Sequence, residues 1–279
     1  ALQGDTLWIG ALNGLYTYQL QNRKLSPLDT KRNGLPHNTI YSIIRTGDNQ
    51  IYVGTYNGLC RYIASNGKFE KIPLPVNSSQ SNLFVNSLLE DTGRQCIWIG
   101  TEGYLFQYFP STGQMKQTEA FHNNSIKSLA LDGNGDLLAG TDNGLYVYHN
   151  DVTPLQHIIH DSRNIQSLTN NIIWNIFADQ EHNIWLGTDY GISLSRYNSA
   201  LQFIPISQIT GTGDGNQFYS LFRDSKGFYW FGGTNGLIPS PILPETSITL
   251  SGTEWVTRLI RYHTTVSGIF MKIKNSSYG

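Results

Sequence analysis

The sequence predicts an all-β fold of the β-propeller type, an incomplete array of about six four-stranded blades. Three observations predict it. The hairpin-like stretch Asn183–Ser193 (Asn-Ile-Trp-Leu-Gly-Thr-Asp-Tyr-Gly-Ile-Ser) has near-copies at Leu7–Tyr16, Ile51–Cys60, Ile97–Phe106, Leu137–Tyr146 and Tyr229–Ile238. The glycine that ends its first apolar run falls at Gly10, Gly54, Gly100, Gly140, Gly187 and Gly232, at steps of 44, 46, 40, 47 and 45 residues. A period in the forties made of strands and turns means one four-stranded blade per repeat. Finally, no segment carries apolar residues at i, i+3, i+4, i+7 over three turns, which excludes helical repeats of similar period.

Each unit reads as strand, tight turn, strand. β-branched and aromatic residues favour the pleat, and glycine supplies the φ > 0 that the hairpin needs. The blades run around 5–30, 36–75, 83–118, 124–160, 171–206 and 216–238, within a propeller region of residues 1–238. Blade one begins at Asp5 with the hairpin Leu7–Tyr18, and no inner strand precedes it; the last blade lacks its outer strand. Blade two shows the full order. An inner strand covers Asn38 to Arg45, Gly47-Asp48-Asn49 turns, Ile51–Thr55 pairs with Leu59–Ile63, and Lys68–Ile72 is the outer strand.

Alignment on the glycine exposes columns in the inner strand. Ile40, Val85, Ile126, Ile173 and Phe218 form one apolar column, and Ile43, Leu88, Leu129, Ile176 and Leu221 another. Between them stand the small polar residues Ser42, Ser87, Ser128, Asn175 and Ser220, suited to the crowded axis of a propeller. Asp91, Asp132, Asp179 and Asp224 end the strand before a turn that Asp stabilises, with Thr46 as the exception. A closed seven-bladed ring at this period would need more residues than the chain has.

Composition narrows the function classes. A net charge of −1 provides no field to recruit nucleic acid or an anionic membrane. No apolar run reaches the roughly 18 residues that span a bilayer, so no membrane insertion by this segment is expected. Cys60 and Cys96 are too few for a disulfide framework and sit inside predicted strands, as buried free thiols would. The chain opens on a repeat with no signal peptide, as a fragment would, so compartment is not read from its start.

The run Gly34-Leu35-Pro36-His37-Asn38, with Ile40, Ser42-Ile43, Ile51-Tyr-Val-Gly-Thr and Asn57-Gly-Leu, resembles the two-component regulator propeller repeat. Asn170–Gly236 resembles it more closely, through Trp174-Asn-Ile-Phe, Asp179, Ile184-Trp-Leu-Gly-Thr, Asn216-Gln-Phe-Tyr-Ser and Trp230-Phe-Gly-Gly-Thr-Asn-Gly-Leu. The resemblance covers roughly Leu7 to Ile238. It implies the periplasmic sensor region of hybrid two-component histidine kinases, in which propellers respond to polysaccharide fragments. It therefore implies an oligosaccharide ligand, the remainder of the sensor kinase as partner, and dimerisation through the parent protein. It implies no catalysis by this segment. The alternatives are a carbohydrate-active propeller enzyme (lyase or glycosidase) and a protein-interaction scaffold.

Chemistry-bearing motifs are weak. Trp8, Trp98, Trp185 and Trp230 share one column, which marks inter-blade core rather than a sugar platform. Asp132-Gly-Asn-Gly-Asp136 begins like a calcium loop, but its twelfth position is Asn143 rather than Glu, so a turn is expected. His157 and His160, three apart on a strand, would point to opposite faces. Gly211–Gly215 lacks the Lys-Ser/Thr of a phosphate loop. Expected catalytic residues, metal and cofactors are none.

The loop leading into each inner strand and the turn between second and third strands share one face of a propeller. That face carries His37, Asn38, Asn124, Asn171, Asn216 and Gln217 from the first set, and Tyr56, Glu102, Asp142, Asp189 and Tyr190 from the second. Beside the small polar column, Tyr41, Asn86, Lys127, Trp174 and Tyr219 differ from blade to blade. Variation at one position of a repeated frame is how a binding site is written. The ligand-binding candidates are Tyr41, Trp174, Tyr219, His37, Asn38, Asn171, Asn216, Gln217, Asp189 and Tyr190. For the asparagines, turn chemistry is an equal explanation.

From Pro239 the repeat pattern stops, and residues 239–279 form an atypical tail rich in Thr and Ser. Back-translated and read from the third base of each codon, residues Ile260 to Gly279 permit a repeat-like text. It contains Leu-Pro-His-Asn-Arg, then Asp-Ile-Tyr-Glu-Asp-Lys-Glu-Gln-Gln-Leu-Trp. The expectation is a frameshift near Ile238 that replaced a further blade with out-of-frame sequence. Trp255, Leu259, Ile260 and Phe270 would then lack designed packing, with disorder near Asn275-Ser-Ser-Tyr-Gly. Sequencing the DNA across the Ile238 codon is expected to show an open alternative frame; early stop codons in that frame would mark the tail as authentic.

Overall fold

The hairpins form where apolar runs meet the repeated glycine, and six blades follow in chain order. The computed structural model describes residues 1–75, 84–118, 124–149, 156–164, 166–195, 201–204, 217–234 and 236–240. Blade one contains β1 (Leu2–Gln3), β2 (Thr6–Ala11), β3 (Gly14–Gln19) and β4 (Lys24–Leu28), followed by the one-turn helix α1 (Thr30–Asn33). Blade two contains β5 (Ile40–Arg45), β6 (Ile51–Thr55), β7 (Gly58–Ile63) and β8 (Lys68–Ile72). Blade three contains β9 (Val85–Asp91), β10 (Cys96–Thr101), β11 (Leu105–Phe109) and β12 (Gln114–Thr118). Blade four contains β13 (Ile126–Leu131), β14 (Leu137–Thr141), β15 (Gly144–Tyr148) and β16 (Gln156–Ile158). Blade five contains β17 (Ile173–Ala178), β18 (Ile184–Thr188), β19 (Gly191–Ser195) and β20 (Leu201–Ile204). Blade six contains β21 (Phe218–Arg223), β22 (Tyr229–Gly233) and β23 (Gly236–Ser240).

Every blade is an antiparallel meander, and β5, β9, β13, β17 and β21 lie side by side in that order. Ala1–Ser240 forms one compact unit. Residues 241–279, with Trp255, Leu259, Ile260, Phe270 and the Asn275–Gly279 stretch, lie outside the described residues, as does the Gly211–Gly215 connection.

One expectation is corrected at the first blade. Its inner strand is present but short: Leu2 pairs with Leu7 and Gln3 with Thr6, and Trp8 N donates to Ala1 O at 2.7 Å. The alignment missed it because two residues carry no periodicity. Blade six shows three strands among the described residues.

The two glycine columns do different work. The hairpin glycines Gly58, Gly144, Gly191 and Gly236 have φ of 94°, 98°, 124° and 107°, the region that L side chains avoid. The glycine that ends the second strand has ordinary φ and is needed for space. A Cβ on Gly54 would lie 2.6 Å from Val85 O in the next blade, and one on Gly187 2.7 Å from Phe218 O. The hairpin glycines thus supply the φ > 0 that the turn needs, and the strand-ending glycines answer to space instead. Two members of the small polar column act at the same place: Ser42 Oγ donates to Val85 O at 3.3 Å, and Ser128 Oγ accepts from Ile176 N at 3.0 Å. Both bonds join one inner strand to the next.

The core lies between blades. Trp8, Leu15 and Leu28 of blade one pack on Ile40, Ile51, Val53 and Cys60 of blade two, and equivalent layers separate blades two to five. Burying each Leu or Ile stabilises the fold by about 1.5–3 kcal/mol. Cys60 and Cys96 are both buried, Cys96 Sγ accepts from Gln107 Nε2 at 3.4 Å, and burial pushes the Cys60 thiol up.

The tryptophan column is core, and it is also a clamp. Trp98 Nε1 donates to Asp91 Oδ2 at 3.0 Å, Trp185 Nε1 to Asp179 Oδ2 at 2.9 Å, and Trp230 Nε1 to Asp224 Oδ2 at 3.0 Å. The same carboxylates cap their turns, with Asp179 Oδ1 accepting from Glu181 N and Asn183 N. In blade one Gln3 takes the Asp position and accepts from Trp8 Nε1 at 3.2 Å. Asp179 also accepts from Asn183 Nδ2 at 3.0 Å and, across blades, from the Tyr229 hydroxyl at 2.7 Å. Burial alone would raise the Asp179 pKa, but the bonds from Trp185, Tyr229 and Asn183 outweigh it and hold it below the usual carboxylate range.

At the two ends of the array, repeated apolar positions are more exposed than inside it. Ile9 is 37% exposed, whereas Ile99 in the same column is fully buried against blade two. Leu237 is 54% exposed, whereas its counterparts Leu59 and Leu105 are fully buried.

Two outcomes follow for stability. Ile99→Ala is expected to cost about 2–5 kcal/mol and Ile9→Ala no more than about 0.5 kcal/mol, read from urea midpoints. Equal costs would contradict that difference in exposure. Asp179→Ala is expected to cost about 3 kcal/mol at neutral pH, because buried donors lose a charged acceptor. The depressed folded pKa means that this stabilisation is full above the ordinary carboxylate pKa of about 4 and is lost as pH falls through the folded value. Denaturation curves at descending pH should show the wild type converging toward Asp179→Ala; a gap that widens in acid would refute the assignment.

Candidate functional site

Each complete inner strand carries a β-bulge near its start. Ile40 pairs with Thr55 and Ser42 with Gly54, which leaves Tyr41 as the extra residue. The same shift leaves Asn86, Lys127, Trp174 and Tyr219 unpaired in the following blades. These are the residues of the variable column. A bulge turns its extra side chain out of the regular alternation. Ile40 and Ile43 can therefore share the buried side although three residues apart, while Tyr41 is 41% exposed.

Backbone bonds tie the lead-in segments to the second turn of a blade. Tyr56 N donates to Thr39 O at 3.1 Å, Gly103 N to Asn124 O at 3.0 Å, Gly144 N to Asn171 O at 2.7 Å, and Thr234 N to Gln217 O at 3.1 Å. In three of these turns the Gly-Thr threonine closes the loop: Thr55 Oγ1 donates to Gly58 O at 2.9 Å and accepts from Asn57 N, and Thr141 and Thr188 make the equivalent bonds. The bulge residues and both loop sets thus form one face.

In blades four to six, Lys127 Nζ sits 4.4 Å from the centre of the Trp174 ring, and Tyr219 meets Trp174 at 5.2 Å, edge to face. Trp174 Nε1 donates to Asp189 Oδ1 at 2.5 Å, and the Tyr219 hydroxyl donates to Gln217 Oε1. Trp174, Tyr219, Asp189 and Gln217 are therefore brought together, with Tyr190 exposed on the adjoining turn. Asn216 lies outside the described residues.

In blades two and three, four rings gather. His37 lies 4.8 Å from Tyr56, Tyr56 lies 4.2 Å from Phe84, and Tyr41 lies 6.3 Å from Phe84. Asn38 is exposed beside them. Asn86 Nδ2 donates to Glu102 Oε1 at 3.2 Å and Ser125 Oγ to the same oxygen at 2.9 Å. Burial holds the Tyr41 hydroxyl above its usual range, with Tyr56 and Glu102 adding to the effect.

Asn171 stands apart from both groups. Its Oδ1 accepts from His160 N at 2.7 Å and its carbonyl accepts from Gly144 N, which is turn chemistry. His160 lies beyond the end of β16 and bonds Leu168 O, while His157 stacks on Tyr146 at 4.0 Å. The opposite-faces argument is corrected accordingly, since the strand ends at Ile158. Asp132 caps its own turn, accepting from Asn134 N and Asp136 N.

Among the described residues there is no metal-holding cluster of three or more His, Cys, Asp or Glu, and no helix long and apolar enough to cross a membrane. A cleft of about 380 Å³ lies between the far ends of β17 and β21, lined by Phe177, Ala178, Gln180, Arg223, Asp224, Ser225 and Gly227. It lies at the end of the inner strands away from the bulges, and Arg223 there pairs with Glu181 at 2.6 Å. Sequence reasoning placed nothing in it. Phe84 was likewise missed, as a lone aromatic on a lead-in segment. The bulges had a signal, since apolar columns three apart on a strand require an extra residue between them.

The two component regulator propeller model matches residues 34–57, 167–190 and 212–235. Histidine kinase P4 of Formosa agariphila is 28% identical over 262 residues, covering 84% of this chain and 18% of its own. The extracellular domain of BT4673 from B. thetaiotaomicron is similar in two crystal structures, one assigning it to a one component system and the other to a hybrid two component system. In the first, identity is 91% over 86% of this chain and 33% of that chain, with a TM-score of 0.69. In the second, identity is 93% over 85% of this chain and 32% of that chain, with the same TM-score. The chain thus spans about a third of that extracellular domain and under a fifth of the kinase. A catalytically inactive virginiamycin B lyase from Staphylococcus aureus, 14% identical over 86% of this chain and 78% of its own at a TM-score of 0.65, shares the fold alone.

Proposed function

We propose, for a chain that belongs to the two-component regulator propeller family, that it is a non-catalytic sensor segment of a hybrid two-component system, lying in the periplasm and binding an oligosaccharide. The observation that carries this reading is the row of bulge residues. Tyr41, Asn86, Lys127, Trp174 and Tyr219 occupy equivalent places on an otherwise repeated frame, yet differ in chemistry from blade to blade. Nothing in the pairing of the strands demands any one of them.

The face they form suits a sugar. Aromatic rings offer stacking surfaces, and Gln217, Asp189, Asn38 and Glu102 offer hydrogen-bonding groups among few net charges. The near-identity to an extracellular domain of a signalling system supports the compartment, and the longer relatives supply the rest of the sensor kinase as the partner to which binding would be relayed.

Calorimetric titration of the folded chain against a panel of polysaccharide digests tests the reading. A saturable heat with at least one glycan, and no release of shorter products, is expected. Turnover of the bound glycan would turn the assignment toward a lyase or glycosidase. Indifference to every glycan by a folded sample would remove it.

A further inference from the structure

The four rings of blades two and three have no role in the core. Tyr41, His37, Tyr56 and Phe84 are absent from the apolar layers on either side of blade two. Tyr41 is the most exposed of the four and the others are half-buried. They arrive from separate segments: the lead-in loop of blade two, its bulge, its second turn and the lead-in of blade three. Aromatic surface held together at the rim without a packing role is surface kept for something else.

Beside it, among the described residues, Glu102 is held through Oε1. Asn86 Nδ2 and Ser125 Oγ both address Oε1, which orients the carboxylate and leaves Oε2 outside those bonds. A rigid acceptor next to stacked rings matches one ligand chemistry well. A pyranose presents a C–H face to an aromatic ring and hydroxyl donors at its rim, and an oriented carboxylate accepts from such donors more strongly than a neutral group does. The negative charge of Glu102 disfavours acidic sugars at the same spot.

We infer that His37, Tyr41, Tyr56, Phe84 and Glu102 form a subsite that takes an uncharged pyranose ring. The inference rests on the sensor reading above and places the sugar on blades two and three. Trp174, the other aromatic candidate, is less open to stacking: Lys127 covers one of its faces, Tyr219 packs against it, and Asp189 takes its N–H.

The test uses the full chain in calorimetric titrations with neutral hexaoses of glucose, galactose, mannose and xylose, and with oligogalacturonate and chondroitin sulfate hexaoses. The wild type is expected to bind a neutral hexaose. Phe84→Ala and Tyr56→Leu should each weaken that binding about tenfold, the worth of one stacking ring. Glu102→Gln, which keeps an oxygen for Asn86 and Ser125, should weaken it as well, while Leu25→Ala, on the exposed outer strand of blade one, leaves it unchanged. Thermal midpoints of the variants confirm that each is folded.

Binding that survives Phe84→Ala and Tyr56→Leu but is lost in Trp174→Ala would overturn this subsite and leave the sensor reading standing. Binding of acidic hexaoses alone would overturn the subsite too. No binding of any hexaose by the folded wild type would overturn both.

Discussion

The structure depends on how closely one inner strand approaches the sheet before it. At the end of each second strand there is no room for a β-carbon. One on Gly10 would lie 2.5 Å from Ile40 Cγ2, and one on Gly140 2.7 Å from Ile173 Cγ2. Where the obstacle is backbone, as at Gly54 and Gly187, no side-chain motion relieves it. This contact fixes the spacing between blades. It brings Ser42 and Ser128 within hydrogen-bonding reach of the next strand and lets the apolar layers close between sheets. Close packing of this kind transmits any change in volume to its neighbours.

The bulge belongs to the same arrangement. A two-residue period would put Ile40 and Ser42 on one side of the strand, yet the packing needs Ile40 and Ile43 there and Ser42 against Gly54. An inserted residue reconciles the two demands, and that residue has only the open face to occupy. The surface row of Tyr41, Asn86, Lys127, Trp174 and Tyr219 is thus a by-product of core geometry.

Much of this was legible in the sequence because repetition multiplies weak signals. One glycine after an apolar run says little, whereas six at a steady spacing set the fold class. The Asp and Trp columns were visible separately, but that Trp98, Trp185 and Trp230 each donate to the Asp of their own blade needed the register of the second strand. β1 escaped notice because two residues cannot show alternation. The site was less legible. Asn171 and Trp174 stood in adjacent columns with similar promise, yet one holds a loop and the other packs in a side-chain cluster. Phe84 sits where no column exists, and its meeting with Tyr56 joins two blades through contacts that no linear spacing encodes.

The bulge position also bears on how such a protein can change over generations. Its residue takes no part in the pairing of neighbouring strands and lies outside the layers that hold the sheets together, so most replacements there leave folding untouched. Duplicated copies of the gene could drift at these few codons without passing through an unstable intermediate. Mutations at the glycine contact or in the buried layers, by contrast, disturb the packing between sheets. Diversity is therefore channelled to the row of residues that face outward.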